Sequence, residues 1–110
     1  MSRGEVRLCS LPAPDKRRPV LLLTRPSSLA FLNSVTVAPI TTSVRSVASE
    51  VLLGVEDGMK TTCAVNLHNV ITVPKDALGP CVARLSLECM QRVCAALSYA
   101  LGCEETVTPP

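Results

Sequence analysis

The feature of this sequence that most restricts its fold is a change of hydrophobic period at Ser86. Before it, apolar residues come in short runs or alternate with polar ones. After it, Leu87, Met90, Val93, Cys94, Leu97 and Leu101 recur at helical spacing. The spacing predicts one helix over 87–101, with Ser86 placed to cap its start, Glu88 in its first turn and Gly102 past its end. At 1.5 Å rise per residue such a helix is about 22 Å long, enough to lie across one face of a small sheet.

The earlier segments read as strands. Val6 and Leu8 alternate with Glu5, Arg7 and Cys9. Pro12, Pro14 and the run Asp15-Lys16-Arg17-Arg18 form a loop, and Pro19-Val20-Leu21-Leu22-Leu23-Thr24 is continuously apolar. That run suits a central strand covered on both faces, and proline is tolerated at a strand start. Ser34 to Ile40 is rich in β-branched residues and delivers Thr41 at its end; Glu50 to Leu53 closes at Gly54 and the turn Glu56-Asp57-Gly58. In Thr62 to Val70 a period of two sets Cys63, Val65 and Leu67 on one face and Ala64, Asn66 and His68 on the other, so Asn66 and His68 stand side by side. Val70 to Val73 and Cys81 to Leu85 complete the set. Short strands, brief loops and one terminal helix predict a mainly β fold, a small barrel or strongly bent sheet. The 110 residues make one domain, 1–103, with a polar tail at 104–110.

Composition narrows the chemistry. Phe31 and Tyr99 are the only aromatic residues, so the core is aliphatic and stacking platforms for bases are excluded. The net charge of +2 is split unevenly: residues 1–45 carry seven Lys/Arg against Glu5 and Asp15, whereas residues 46–110 carry four against seven acidic residues. The first half suits an anionic partner, although a split of this size also occurs on ordinary solvated surfaces. The six cysteines contain no C-x-x-C pair and the N-terminus has no apolar signal core, so buried free thiols in a soluble, cytoplasmic protein are expected. No apolar run approaches the roughly 20 residues a bilayer requires. Walker and Rossmann glycine loops are missing, and neither metal nor cofactor is expected.

The stretch Ala38-Pro39-Ile40-Thr41-Thr42-Ser43-Val44-Arg45 ends a buried strand in three hydroxyls and a guanidinium. Such a cluster either binds a phosphate or satisfies loose backbone ends. In order and spacing, Arg-Gly-Glu-Val at 3–6, Arg-Arg-Pro-Val-Leu-Leu-Leu-Thr at 17–24, Pro-Ile-Thr-Thr-Ser at 39–43, Val-Asn-Leu-His-Asn-Val at 65–70 and the segment 78–103 resemble the MazF/PemK family of bacterial toxins. The resemblance covers roughly residues 3–103. It implies an SH3-like or CcdB-like barrel, a homodimer, a cognate antitoxin, and metal-independent cleavage of single-stranded RNA by the substrate's own 2′-hydroxyl, leaving a 2′,3′-cyclic phosphate and a 5′-hydroxyl. The family's arginine in the RRP motif falls on Arg18 and its threonine in the P-x-T-[TS] motif on Thr41.

A guanidinium fixed beside the scissile phosphate stabilises the charge that builds up in the transition state, and its planar fork matches two phosphate oxygens. Neither Arg18 nor Thr41 is a natural base. The plasmid branch of the family carries Arg-x-Asp where this chain has Asn66-Leu67-His68, so His68 stands at the acidic position and is a candidate to pass a proton or touch RNA. Arg17, Thr42, Ser43, Arg45 and Asn66 are the expected RNA contacts. Many relatives carry Trp where this chain has Arg7, and the loop from Ser10 to Arg18 looks short, so a target sequence does not carry over. The alternatives are an inactive homologue that only binds an antitoxin, or a toxin that poisons a protein as CcdB does DNA gyrase. The second depends in CcdB on a C-terminal tryptophan that this chain lacks.

Overall fold

A computed structural model describes residues 1–11 and 17–103. The expected tail at 104–110, with part of the loop before Arg17, lies outside the described residues. Seven strands form one antiparallel sheet: β1 (Glu5–Ser10), β2 (Arg17–Leu22), β3 (Ser34–Thr41), β4 (Glu50–Leu53), β5 (Cys63–Asn66), β6 (Ile71–Pro74) and β7 (Leu78–Arg84). A four-residue helix α1 (Pro26–Leu29) joins β2 to β3, and α2 (Leu87–Leu101) follows β7. The order across the sheet is β4-β5-β3-β2-β1-β7, with β6 also paired to β3. The small β fold with a C-terminal helix is as expected, but its sheet is strongly bent rather than closed by hydrogen bonds between the outer strands β4 and β7.

The bend is built into β3. Its first half, Ser34 to Val37, pairs with β6, and its end, Ile40 and Thr41, pairs with Val65 and Ala64 of β5. Pro39 sits between the two pairings. Proline lacks a backbone donor, so the ladder changes partners there without stranding an N–H.

The apolar run of β2 is covered on both faces, as its sequence predicted. Leu21 belongs to a cluster with Val6, Ile40, Val65, Cys89 and Val93 beneath α2, whereas Val20 and Leu22 join Cys9, Leu29, Val35, Val37 and Val73 on the other side. Helix α2 begins as expected, with the Ser86 hydroxyl accepting from the Cys89 N–H at 3.1 Å, and ends at Gly102 in the left-handed region, φ 70°. It buries Cys89, Met90, Val93 and Ala96.

Two boundaries differ from expectation in ways that matter for the site. Arg17 and Arg18 are not loop residues: they pair with Ser10 and Cys9, and the strand runs through Pro19. Pairing between β2 and β3 begins only at Val20, so Pro19 has an open side where its missing donor breaks no ladder bond. Strand β5 stops at Asn66, because the Asn66 Oδ1 accepts the His68 N–H at 3.1 Å and turns the chain. Asn66 and His68 are therefore joined across a turn instead of sharing a strand face. Helix α1, which no periodicity announced, starts at Pro26 and places Leu29 in the second core cluster.

Candidate functional site

Five segments converge on one cavity of about 530 Å³. The start of β2 contributes Arg17, Arg18 and Pro19; the end of β3 contributes Ile40, Thr41 and the following Thr42; the β4–β5 loop contributes Gly58, Met59, Lys60 and Thr61; Leu8 and Val82 close the apolar wall. Strand register explains the meeting. Val20 lies opposite Pro39, and continuing that antiparallel register two residues toward the start of β2 brings Arg18 level with Thr41. Thr41 is in turn paired with Ala64, next to Cys63 at the cavity floor.

The cavity is cationic and rich in hydroxyls. Arg17, Arg18 and Lys60 stand with Thr41, Thr42 and Thr61, and no Asp, Glu or His is among the lining residues described. The Arg17 guanidinium lies across Gly79: a Cβ there would come within 2.9 Å of its Nη2 and 3.2 Å of the Leu8 carbonyl. A side chain there would displace the guanidinium and press on the Leu8 carbonyl. Of the two jobs open to the hydroxyl cluster, Thr41 does the one that ties down loose backbone. Its Oγ1 accepts the Ser43 N–H at 3.0 Å, and the same hydroxyl retains a proton to donate into the cavity. Cys63 also lines the cavity, but burial, with the charge of Asp57, pushes its thiol up, so it stays protonated at neutral pH.

The remaining expected residues gather elsewhere. Beyond Thr42 the chain is pinned by Glu50, whose Oε1 accepts the backbone N–H groups of Arg45 and Ser46, both at 2.9 Å. Those two bonds hold Ser46 at φ 57°, a conformation that side chains rarely adopt. Glu50 also pairs with Asn66, and the buried Ser49 hydroxyl meets the Nδ1 of His68 at 2.5 Å. Arg45, Asn66 and His68 thus form a second group at the far end of β5, about 7 Å or more along the strand from the level of Thr41. Ser43 stands between the groups, exposed, with its backbone tied to Thr41.

Sequence reasoning missed Lys60 and Thr61, whose neighbours carry no motif and which reach the site only through the fold. It also missed the work of Arg7, which donates to the buried Glu5 at 2.8 Å and to the Gly79 carbonyl at 2.8 Å, joining β1 to β7 behind the cavity. Phe31 and Tyr99 are exposed and do not line the cavity. Among the described residues no group of three or more His, Cys, Asp or Glu is placed to hold a metal. All six cysteines are free, three of them buried. No helix among the described residues is long and apolar enough to cross a membrane.

Comparison with known proteins adds an independent line. Residues 2–101 match the family model described as a PemK-like, MazF-like toxin of type II toxin-antitoxin systems. A probable endoribonuclease MazF5 of Mycobacterium tuberculosis is 39% identical over 103 residues, covering 93% of this chain and 94% of that protein. The solved toxin MazF-mt6 of Mycobacterium tuberculosis superposes with a TM-score of 0.82 at 35% identity, covering 89% of this chain and 96% of that one. A mycobacterial endoribonuclease solved with its cognate antitoxin gives a TM-score of 0.85 at 25% identity, over 96% and 99% of the two chains.

Proposed function

The chain belongs to the PemK-like, MazF-like toxins of type II toxin-antitoxin systems, and on that premise we propose that it is an endoribonuclease that cleaves single-stranded RNA at the cavity holding Arg17, Arg18, Thr41 and Thr42. The observation that carries this reading is the convergence of those four side chains, from two strands brought into register, on a cavity whose described lining includes no carboxylate. A dianionic transition state needs such a surround.

In the reaction the ribose 2′-oxygen forms a bond to the adjacent phosphorus and the P–O5′ bond breaks. The 2′-proton is lost, the 5′-oxygen gains one, and the products are a 2′,3′-cyclic phosphate and a 5′-hydroxyl. Negative charge grows on the non-bridging oxygens as the new bond forms. Arg18 meets that charge with its fork, and the Thr41 hydroxyl, oriented by the Ser43 amide, donates to the same phosphate or holds the 2′-hydroxyl. The site favours charge stabilisation over proton shuttling, since no Asp, Glu or His is among the described lining residues. Arg17 and Thr42 bind the strand beside the scissile group. His68, Asn66 and Arg45, with Ser43 between, contact RNA farther along, where the Ser49 hydroxyl orients the imidazole.

The assembly follows from the family. The protein works as a cytoplasmic homodimer with a cognate antitoxin, since a related mycobacterial endoribonuclease is solved in complex with its own; an acidic antitoxin segment that occupies the cationic cavity would silence it. No metal or cofactor takes part. The test is incubation of purified protein with long single-stranded RNA in excess EDTA. Cleavage that leaves cyclic phosphate ends, and that is lost in folded Arg18→Ala and Thr41→Ala variants, supports the reading; intact RNA, or cleavage undiminished in both variants, refutes it.

A further inference from the structure

We propose that Lys60 is a strand-binding residue of this site, holding a phosphate of the RNA adjacent to the scissile one and taking no part in bond breaking; the inference rests on the endoribonuclease reading above. Lys60 is exposed and lines the same cavity as Arg17, Arg18, Thr41 and Thr42, although it comes from a different loop.

That loop is built to hold one shape. The Gly54 N–H donates to the Asp57 Oδ2 at 2.9 Å, the Asp57 N–H returns to the Gly54 carbonyl at 3.0 Å, and the Met59 N–H closes on the same carbonyl at 3.3 Å. Gly58 adopts φ 90°, and a Cβ on it would lie 3.2 Å from the Ala83 side chain, so the turn is seated tightly against β7. Residues 60 and 61 leave this braced turn at the cavity and run directly into Cys63, the first residue of β5, at its floor. The turn that leads into Lys60 is thus braced, while Lys60 itself is exposed.

Charge counting then points to a second phosphate. A phosphodiester carries one negative charge, and one arginine fork with neighbouring hydroxyls satisfies it. With Arg18 given to the scissile phosphate, Arg17 and Lys60 are left in the cavity for the phosphates beside it, and no carboxylate is among the described lining residues. A polynucleotide supplies the remaining charge on its next phosphate. Lysine suits that task, because it binds phosphate as a compact point charge without the bidentate geometry the scissile group requires. Lys60 therefore strengthens binding without regard to base identity.

The experiment compares wild type, Lys60→Gln and Lys60→Arg on one long single-stranded RNA in EDTA, with kcat and KM measured at several NaCl concentrations. Lys60→Gln is expected to raise KM roughly fivefold with kcat within about twofold of wild type. The dependence of log KM on log salt should become shallower by about 0.7. Lys60→Arg should restore both. An unchanged KM and salt slope in Lys60→Gln overturns the proposal, as does a loss of kcat with KM intact, which would make Lys60 part of the reaction itself. Failure of the wild-type protein to cut the RNA is a different result: it removes the endoribonuclease reading and this inference with it.

Discussion

Replacing Glu5 by Gln tests the brace behind the cavity. Glu5 is 2% exposed, and its carboxylate meets Arg7 at 2.8 Å and Arg84 at 2.9 Å, tying β1 to β7. A hydrogen bond to a charged group contributes about 1.5–3 kcal/mol. Gln keeps the shape and one carbonyl oxygen, so one contact survives in weaker, neutral form. Arg84, whose side chain is 69% exposed, returns to water at small cost. The expected loss is about 2 kcal/mol near pH 7, less than the ~3–5 kcal/mol of breaking a fully buried pair. For a domain of this size that is a fall in Tm of about 8 °C.

The pH dependence fixes the cause. Burial by itself raises the Glu5 carboxyl, but the Arg7 hydrogen bond, a backbone hydrogen bond at Ser2 and the charges of Arg7 and Arg84 outweigh it, leaving the group below the usual 4.5. Because the folded state holds the carboxylate more tightly than the unfolded chain, its stabilisation is complete above the ordinary carboxylate range and fades as pH falls through the lowered value. Thermal unfolding of both proteins between pH 7 and pH 3 should therefore show a gap that narrows on acidification. A Gln variant as stable as wild type at pH 7, or a gap that widens toward acid, would refute this reasoning.

Arg18→Ala should lower cleavage about 10²- to 10³-fold with little change in Tm, and Arg18→Lys should recover only part of it because the bidentate fork is missing; single-turnover kinetics and a melting curve check both. Gly58→Ala places a side chain at φ 90°, with 3.2 Å to the Ala83 Cβ, and should cost about 1–2 kcal/mol in thermal or urea unfolding. Cys63→Ala should cut RNA at a rate within about threefold of wild type, since a thiol that burial keeps protonated is no nucleophile; a much larger loss in a folded variant would assign it a role in the chemistry.

Much of the fold is legible because its signals are local. The continuous run at 19–24 has apolar residues on both faces of β2, and the helical period after Ser86 gives α2 with both caps. The 17–24 and 39–43 stretches that carry the resemblance also meet, for register brings Arg18 level with Thr41. What could not be read depends on contacts distant in sequence. Lys60 reaches the cavity through a turn seated on β7, and Gly79 makes room for Arg17 across strands that nothing local announces as neighbours. The period of two holds through His68 and predicts a continuing strand, but an asparagine side chain competes with the ladder, and Asn66 ends the strand two residues early. Whether a sheet closes is likewise decided by its outer strands meeting, not by any one strand's pattern.

The central claim is that the RNA's own ribose attacks while a guanidinium and an alcohol steady the phosphate. It is tested most directly with a single RNA molecule carrying 2′-deoxyribose only at the mapped cut position, compared with its all-ribose twin. The account predicts that the twin is cut to a cyclic phosphate and the deoxy strand survives with its binding largely kept. Scission of the deoxy strand at the same bond would contradict it.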